Sequence, residues 1–241
     1  MTNYQAPFEQ KWGSDQAALM QRVATLERLV ANLTSGPVAV TSSTHPANPV
    51  PGQEILETDT GLTAQWNGTA WVYPPQRLDQ KLLSASAPSI VLHVPSGPSF
   101  SALRVVWQGR SDVGTAATYM LLRLNGDSGN NYLFQTNQVN NTTQGGGNSG
   151  ALNSAIEVGT LAAASATSGY LGSGAFDIPD ALGSTFKAPS GHSTSTNSTT
   201  NSYSGTYGGI WLSTAAITSI TLLPLAGNLV AGSAAYLYGE T

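Results

Sequence analysis

FSALRVVWQ (residues 100–108) and TYMLLRLN (residues 118–125) alternate apolar and polar side chains along their length. The apolar positions that share a face within each stretch are Leu103, Val105 and Trp107, and then Met120, Leu122 and Leu124. Because successive side chains of a strand point to opposite faces, this alternation predicts two strands that each bury one face. The two stretches therefore indicate a β-rich domain.

The same signals extend over much of the chain. Further strands are predicted at residues 89–94, 131–136, 155–163, 216–223 and 229–238. Short strands joined by turns rich in Gly, Asn and Ser are typical of a β-sandwich or jelly roll. We therefore expect residues 76–241 to form a jelly-roll-like β-sandwich head. Two low-complexity stretches, 138–151 and 189–206, are predicted as long loops, where binding residues often lie.

The composition excludes several classes of function. The chain has 241 residues, of which 9% are charged, against about 25% in a typical soluble domain. With a formal net charge of −4, it is not attracted to nucleic acid or to anionic membranes. The absence of Cys excludes disulfides, thiolate metal sites and Cys nucleophiles.

No targeting or membrane segment is predicted. The N-terminal sequence MTNYQAPFEQKW lacks the basic region and apolar run of a secretory signal peptide. No stretch of about 18 apolar residues occurs in the chain. We therefore expect no membrane insertion.

Residues 14–35 give the clearest local signal, a helix with a narrow apolar stripe. Ser14 or Asp15 can cap its start, and Gly36 followed by Pro37 ends it. The stripe repeats at spacings of 4, 3, 4 and 3 residues and consists of Leu19, Val23, Leu26, Val30 and Leu33. This is a heptad seam, and a helix this short is marginal in water without partner helices.

Residues in the seam and beside it indicate how many helices assemble. Val at heptad position a with Leu at d favours a dimer, but Met20 and Leu29 widen the apolar face. Arg22 and Glu27 also match the Arg-apolar-x-x-apolar-Glu pattern of short trimeric coiled coils. We predict a parallel homotrimer, with a dimer and a monomeric helix as alternatives. The predicted trimerisation residues are Leu19, Arg22, Val23, Leu26, Glu27, Val30 and Leu33.

Residues 1–13 precede the seam and are rich in aromatic side chains. Tyr4, Phe8 and Trp12 recur at every fourth position and would share one helix face, provided that Pro7 falls in the first turn. We interpret them as an attachment segment that docks into a larger assembly. A frayed terminus is the alternative.

Two short parts connect the helix to the predicted sandwich. Residues 36–51 are rich in proline and uncharged, and predict a stiff linker. Residues 52–75 predict a small β-hairpin module, with a turn at residues 58–61 and Asn67-Gly68 at a hairpin tip between Trp66 and Trp71. Because a two-stranded hairpin is barely stable alone, its tryptophans need a partner to pack against.

The sequence offers little for catalysis. The histidines are His45, His93 and His192, and no Gly-x-Ser-x-Gly motif accompanies them. Asp177 and Asp180 are near neighbours, but the proline between them predicts a turn. We expect no catalytic residues and no cofactor. A polysaccharide-degrading spike, which needs two carboxylates about 5–10 Å apart, is an alternative.

Metal binding is not predicted either. The stretch NGDSG at residues 125–129 offers oxygen ligands but lacks the spaced acids and the terminal Glu of a calcium loop. A hairpin turn explains the same residues. For sugar recognition, the candidate glycan contacts are Tyr203, Tyr207 and Trp211, in or beside the 189–206 loop. The alternative for Tyr207 and Trp211 is packing in the core or between subunits.

The stretch PGQEILETDTGLTAQWNGTAWVY at residues 51–73 resembles a small hairpin module of fibres and minor structural proteins of tailed bacteriophages. The later part resembles the β-sandwich that often ends such proteins, through RVVWQGRSD (104–112), RLNGDSGNNY (123–132), FDIPDA (176–181) and AITSITLLPLAGNLVAGSAAYLYG (216–239).

This resemblance implies a homotrimeric component on the exterior of the virion. Its N-terminus would attach to other virion proteins, and its β-sandwich head would contact host-surface glycan, as in a short tail fibre or tail-tip protein. A head fibre or decoration protein bound to the capsid is an alternative with the same architecture.

Overall fold

The computed structural model describes residues 6–148 and 151–240, and within the N-terminal helix it describes the side chains of residues 15–28 and Val30. The chain divides into two compact units between Pro74 and Pro75. The first unit contains a helix and a small sheet, and the second is built from β-strands.

The helix α1 runs from Ala6 to Ser35, so it begins earlier than the predicted start at Ser14 or Asp15. Pro7 does not prevent this, because the first turn of a helix has no internal partner for a backbone N–H. The predicted start at Ser14 or Asp15 is therefore wrong, and the helix continues across the predicted boundary between residues 1–13 and 14–35. The end is confirmed, since Gly36 follows with a φ of 72°, the left-handed conformation that favours glycine at a helix end.

The small sheet confirms the predicted hairpin module and extends it. Its strands are β1 (Val38–Val40), β2 (Glu54–Glu57), β3 (Thr63–Trp66) and β4 (Trp71–Val72), in that order across the sheet. β1 pairs in parallel with β2, and Val50 is buried. Residues 36–51 are thus not a free linker, because Val38–Val40 pairs with β2.

The hairpin tip between β3 and β4 has the predicted geometry. Gly68 adopts a φ of 104°, and the side-chain Oδ1 of Asn67 accepts hydrogen bonds from the backbone N–H groups of Thr69 and Ala70, each at 2.9 Å. Trp66 and Trp71 pack together across the two strands with ring centroids 5.5 Å apart.

A fully buried carboxylate joins the parts of the small sheet. Glu57 accepts hydrogen bonds from Tyr73 Oη at 2.5 Å and Thr60 Oγ1 at 2.6 Å, and its Oε1 lies 2.7 Å from His45 Nε2. Burial alone would raise the pKa of Glu57, but the hydrogen bonds from Thr60, Tyr73 and His45 outweigh it and lower the pKa below its ordinary value. The carboxylate is therefore held in its ionised form.

This carboxylate predicts a sheet that is sensitive to acid. Because the folded pKa of Glu57 lies below the unfolded pKa, its stabilisation is present above the ordinary pKa near 4.5 and is lost as the pH falls through the folded value. We expect Glu57→Gln to lower the stability of the small sheet at neutral pH by about 2 kcal/mol and to flatten its acid dependence. Urea unfolding followed by the NMR indole signals of Trp66 and Trp71 measures both effects. A steep acid transition retained in Glu57→Gln would contradict the assignment.

The second unit is mainly β. Its strands are β5 (Gln76–Leu82), β6 (Ile90–His93), β7 (Ala102–Gly109), β8 (Ala117–Leu124), β9 (Tyr132–Asn140), β10 (Thr143–Asn148), β11 (Ile156–Ala162), β12 (Gly172–Pro179), β13 (Ser190–Ser198), β14 (Asn201–Trp211), β15 (Ser219–Pro224) and β16 (Ala234–Glu240). In the described part of the chain they form an eight-stranded sheet, ordered β10-β9-β14-β13-β12-β7-β16-β5, and a four-stranded sheet, ordered β11-β8-β15-β6.

Both sheets contribute to one apolar core, an arrangement consistent with a β-sandwich. The alternating residues of β7 and β8 are buried as predicted, among them Trp107 and Met120. The strands predicted at 89–94, 131–136, 155–163, 216–223 and 229–238 correspond to β6, β9, β11, β15 and β16, with shifted ends. β5 and β12 were not predicted as strands.

The two predicted long loops are wrong, because both segments form strands. Residues 138–151 contribute to β9 and β10, and residues 189–206 contribute to β13 and β14. Along β13 buried and exposed side chains alternate, but apolar and polar side chains do not. The buried positions are occupied by Ser193, Ser195 and Asn197, which are all polar. Polar side chains on the buried face hide the pattern by which a half-buried strand is recognised.

Candidate functional site

Trp211 and Tyr207 lie inside the second unit. The Trp211 indole is 3% exposed, stacks on Tyr132 with centroids 6.3 Å apart, and donates from Nε1 to Asp127 Oδ2 at 2.7 Å. The prediction of Trp211 as a glycan contact is therefore wrong, and core packing accounts for it. Tyr207 is also buried, whereas Tyr203 is partly exposed.

Residues 125–129 form the predicted hairpin turn. Asn125 has a φ of 53° and Gly126 a φ of 68°, and the turn connects β8 with β9. Asp127 accepts hydrogen bonds from Trp211, from Asn131 and from the Gly129 backbone. The Trp211 hydrogen bond is the largest cause of a lowered pKa of Asp127. Both carboxylate oxygens of Asp127 are thus occupied in holding the turn to the core.

Tyr203 belongs to a polar face formed by β9, β13 and β14. Its partners across the sheet are Asn140 on β9 and Ser195 on β13. Gly205 lies between Tyr203 and Tyr207 on this face and is paired with Gln138. A Cβ at Gly205 would lie 2.8 Å from the Gln138 Cβ. The glycine therefore leaves room for the Gln138 side chain between the two tyrosines.

The edge strand β11 faces these polar strands and carries a β-bulge. Glu157 is paired with Leu121 of β8, but after the bulge Thr160 is paired with Tyr119. Because Leu121 and Tyr119 are two positions apart on β8, Glu157 and Thr160 share one face although they are three positions apart on β11. The Thr160 backbone N–H donates to Ser193 Oγ at 3.2 Å, which connects the edge strand to β13.

A small cleft lies where these elements meet. We call it the tyrosine cleft; its lining residues are Ala117, Thr118, Tyr119, Gln138, Thr160 and Tyr203. Its volume is about 170 Å³. It presents two phenols, a carboxamide and two hydroxyl-bearing threonines around one small space.

A buried hydrogen-bond network supports one wall of the tyrosine cleft. Tyr207 Oη donates to Gln138 Oε1 at 3.0 Å and lies 3.2 Å from Thr160 Oγ1. Thr160 Oγ1 also donates to Gln138 Oε1 at 3.4 Å. Tyr207 thus holds the side chains of Gln138 and Thr160 in place from the interior.

Glu157 gives the region an unusual electrostatic character. Burial raises the pKa of Glu157 to about 7. Its carboxyl group is therefore mostly protonated and uncharged when the pH is below that value. Burial and then the charge of Glu157 raise the pKa of Tyr119, and burial also raises the pKa of Tyr207. The phenols therefore stay protonated and able to donate hydrogen bonds.

Several buried polar atoms beside Tyr203 have no hydrogen-bond partner within the described residues. They are Asn140 Oδ1, Ser195 Oγ, Asn197 Nδ2 and Asn201 Oδ1. Asn140 and Ser195 are the direct cross-strand neighbours of Tyr203. Ser195 is 1% exposed and Asn197 is 4% exposed. Since buried polar groups are normally paired, these atoms call for water or a ligand nearby.

The helix carries a second candidate surface. The apolar residues of its seam are largely exposed, namely Leu19 at 60%, Val23 at 42%, Leu26 at 59% and Val30 at 58%. Arg22 and Glu27, the predicted flanking pair, are exposed as well. The side chain of Leu33 lies outside the described residues, as do those of Phe8 and Trp12, and Tyr4 lies outside them entirely.

Of the predicted glycan contacts, only Tyr203 lines the tyrosine cleft. Sequence reasoning missed Tyr119, Gln138, Thr160 and Glu157. In the sequence Tyr119 alternates with the apolar positions of its strand, and no apolar pattern marks the bulge beside Gly159. The glycine in an otherwise apolar strand was the available signal, because an isolated glycine in a strand often marks a bulge.

Comparisons with protein-family models, with curated proteins and with solved structures found no match for this chain. Among the described residues, no helix is both long and apolar enough to cross a membrane.

Proposed function

We propose that the protein is a non-enzymatic structural component of a tailed-bacteriophage virion, a short homotrimeric tail fibre or tail-tip protein. The helix assembles three identical chains, and the β-rich unit forms a head that contacts glycan on the host surface. The observation that carries the proposal is the exposed apolar seam of α1.

Exposing the apolar side chains of the seam to water is unfavourable in free energy unless another helix covers them. Leu19, Leu26 and Val30 are each more than half exposed, and burying such a side chain contributes about 1.5–3 kcal/mol. A single heptad seam is too narrow for packing on a globular domain but has the width of a coiled-coil contact. Identical helices with the same seam satisfy this requirement without any other partner.

The flanking charges favour a parallel arrangement. In a parallel trimer, Arg22 of one helix lies near Glu27 of its neighbour, where the two side chains can pair and cover the seam with their aliphatic stems. The resemblance of residues 51–73 to a phage hairpin module supports a virion location. We assign virion attachment to residues 1–13, of which residues 6–13 belong to α1.

The acids considered for glycoside cleavage have structural partners. Asp177 forms an ion pair with Arg104 at 3.5 Å, and Asp180 accepts a hydrogen bond from Thr185. These contacts support the non-enzymatic proposal over a polysaccharide-degrading spike.

Immunogold electron microscopy of washed phage particles tests the proposal. Antibody against the β-rich unit is expected to label the tail tip. Label on the capsid would replace the tail assignment with a head fibre or decoration protein. Particles that carry no label, and from which mass spectrometry recovers no peptide of this chain, would contradict a virion role.

A further inference from the structure

We propose that the tyrosine cleft binds one ring of a neutral saccharide. This deepens the proposed function, since it rests on the role of the head in glycan contact and names the residues and the ligand class.

The dimensions of the cleft suit one sugar ring. Its volume is about 170 Å³, which is many times the space that one water molecule needs. A single sugar ring with its hydroxyl groups displaces several waters. The cleft is therefore matched to a single ring, and further rings of a chain would extend into solvent.

The lining residues have the chemistry that sugars require. The phenol rings of Tyr119 and Tyr203 offer apolar surfaces with a polar edge, which suits the C–H faces of a sugar ring. The hydroxyl of Thr160 and the carboxamide of Gln138 both donate and accept hydrogen bonds. Tyr207 holds these two groups from behind, so little side-chain freedom is lost on binding.

The sheet behind Tyr203 is polar as well. Asn140 and Ser195 are its cross-strand neighbours on the same face, but neither residue lines the cleft and their unpartnered oxygens are buried away from it. The choice of a polar ligand therefore rests on the lining residues themselves.

The local charge favours a neutral sugar over an acidic one. The lining of the cleft contains no lysine or arginine, so a carboxylate or phosphate on the ligand would lack a counter-charge. Glu157, on the same face as Thr160, adds negative charge when it ionises. A sugar acid is therefore disfavoured, increasingly so as the pH rises past neutrality.

Saturation-transfer NMR on the full chain tests the proposal, with glucose, galactose, N-acetylglucosamine and glucuronic acid as probes. We expect at least one neutral sugar to bind with a millimolar dissociation constant and glucuronic acid to bind at least tenfold more weakly. Tyr203→Ala should weaken binding at least tenfold. Tyr119→Phe, which removes only one oxygen, should weaken it severalfold and keeps the test valid if Tyr203→Ala fails to fold.

Tyr236→Ala provides the matched control. Tyr236 is also a partly exposed tyrosine of the eight-stranded sheet, but it lies on β16 opposite Val106, four strands from β14. Its loss should leave sugar binding unchanged. Absence of binding by every neutral sugar, or unchanged binding in both cleft variants, would overturn the proposal. Each cleft lies within one chain, so sugar binding does not depend on trimer formation. A failure of sugar binding therefore leaves the proposed virion role to be tested by immunogold labelling, and the reverse also holds.

Discussion

Leu26→Asp is expected to convert the assembled protein into single chains. Leu26 is at the centre of the seam of α1 and is 59% exposed in the single chain. In a parallel trimer the substitution brings three carboxylates to the same level of a shared apolar core, where each buried charge costs several kcal/mol. A net loss of about 4 kcal/mol would weaken association about a thousandfold. Sedimentation velocity at micromolar concentration measures the change.

Thr25→Asp is the matched control for this prediction. It introduces the same charge at the neighbouring residue, outside the seam, and Thr and Asp have similar helix propensities. The control should sediment like the unmodified protein. If Leu26→Asp and Thr25→Asp sediment alike, the seam of α1 does not control assembly.

Gly159→Ala is expected to destabilise the β-rich unit strongly. An added Cβ would lie 2.7 Å from the Ser193 Cβ and closer still to Cζ2 of Trp107. Trp107 is fully buried, so the clash cannot be relieved toward solvent, and we expect a loss of about 2–4 kcal/mol. In a unit of this size that corresponds to a fall in the melting temperature of roughly 5–15 °C. Calorimetry or near-UV circular dichroism measures the change.

Gly114→Ala separates the clash from a general effect of replacing glycine. A Cβ at Gly114 would meet no atom within 4 Å, and surface substitutions of this kind change stability by about 0.5 kcal/mol or less. Equal melting temperatures for Gly159→Ala and Gly114→Ala would contradict the close packing of β11 on Trp107 and β13. The bulge that brings Glu157 and Thr160 to one face would then be in doubt.

The elements with strong local signals could be predicted from the sequence. The heptad spacing and Gly36 predicted a helix and its end, and Asn67-Gly68 predicted the tip of the small hairpin. Apolar alternation predicted β7 and β8 together with their buried residues. In each case the information lies within a few consecutive residues.

Two strands at or beside the tyrosine cleft, β13 and β14, could not be predicted in this way. β13 and β14 bury serine, asparagine and tyrosine where other strands bury aliphatic residues, so their hydropathy resembles that of a loop. Their pairing depends on backbone hydrogen bonds between segments distant in sequence, for example between β14 and β9. For Trp211 the sequence left glycan contact and core packing open, because its polar partner Asp127 is distant in sequence.

Two further features differ from their predictions, namely the residue at which α1 begins and the structure of residues 36–51. Proline is usually taken as a break, yet Pro7 is compatible with the first turn of α1. The short Val38–Val40 strand is stabilised by pairing with β2, to which the chain returns only after the proline-rich segment. Local propensity allowed a helix through Pro7 but did not indicate the pairing of Val38–Val40 with β2.

Native mass spectrometry of the unmodified full chain measures directly how many chains assemble. We expect an assembly of three times the 24.9 kDa chain at micromolar concentration. A mass of 24.9 kDa at every concentration that can be measured would contradict assembly through α1.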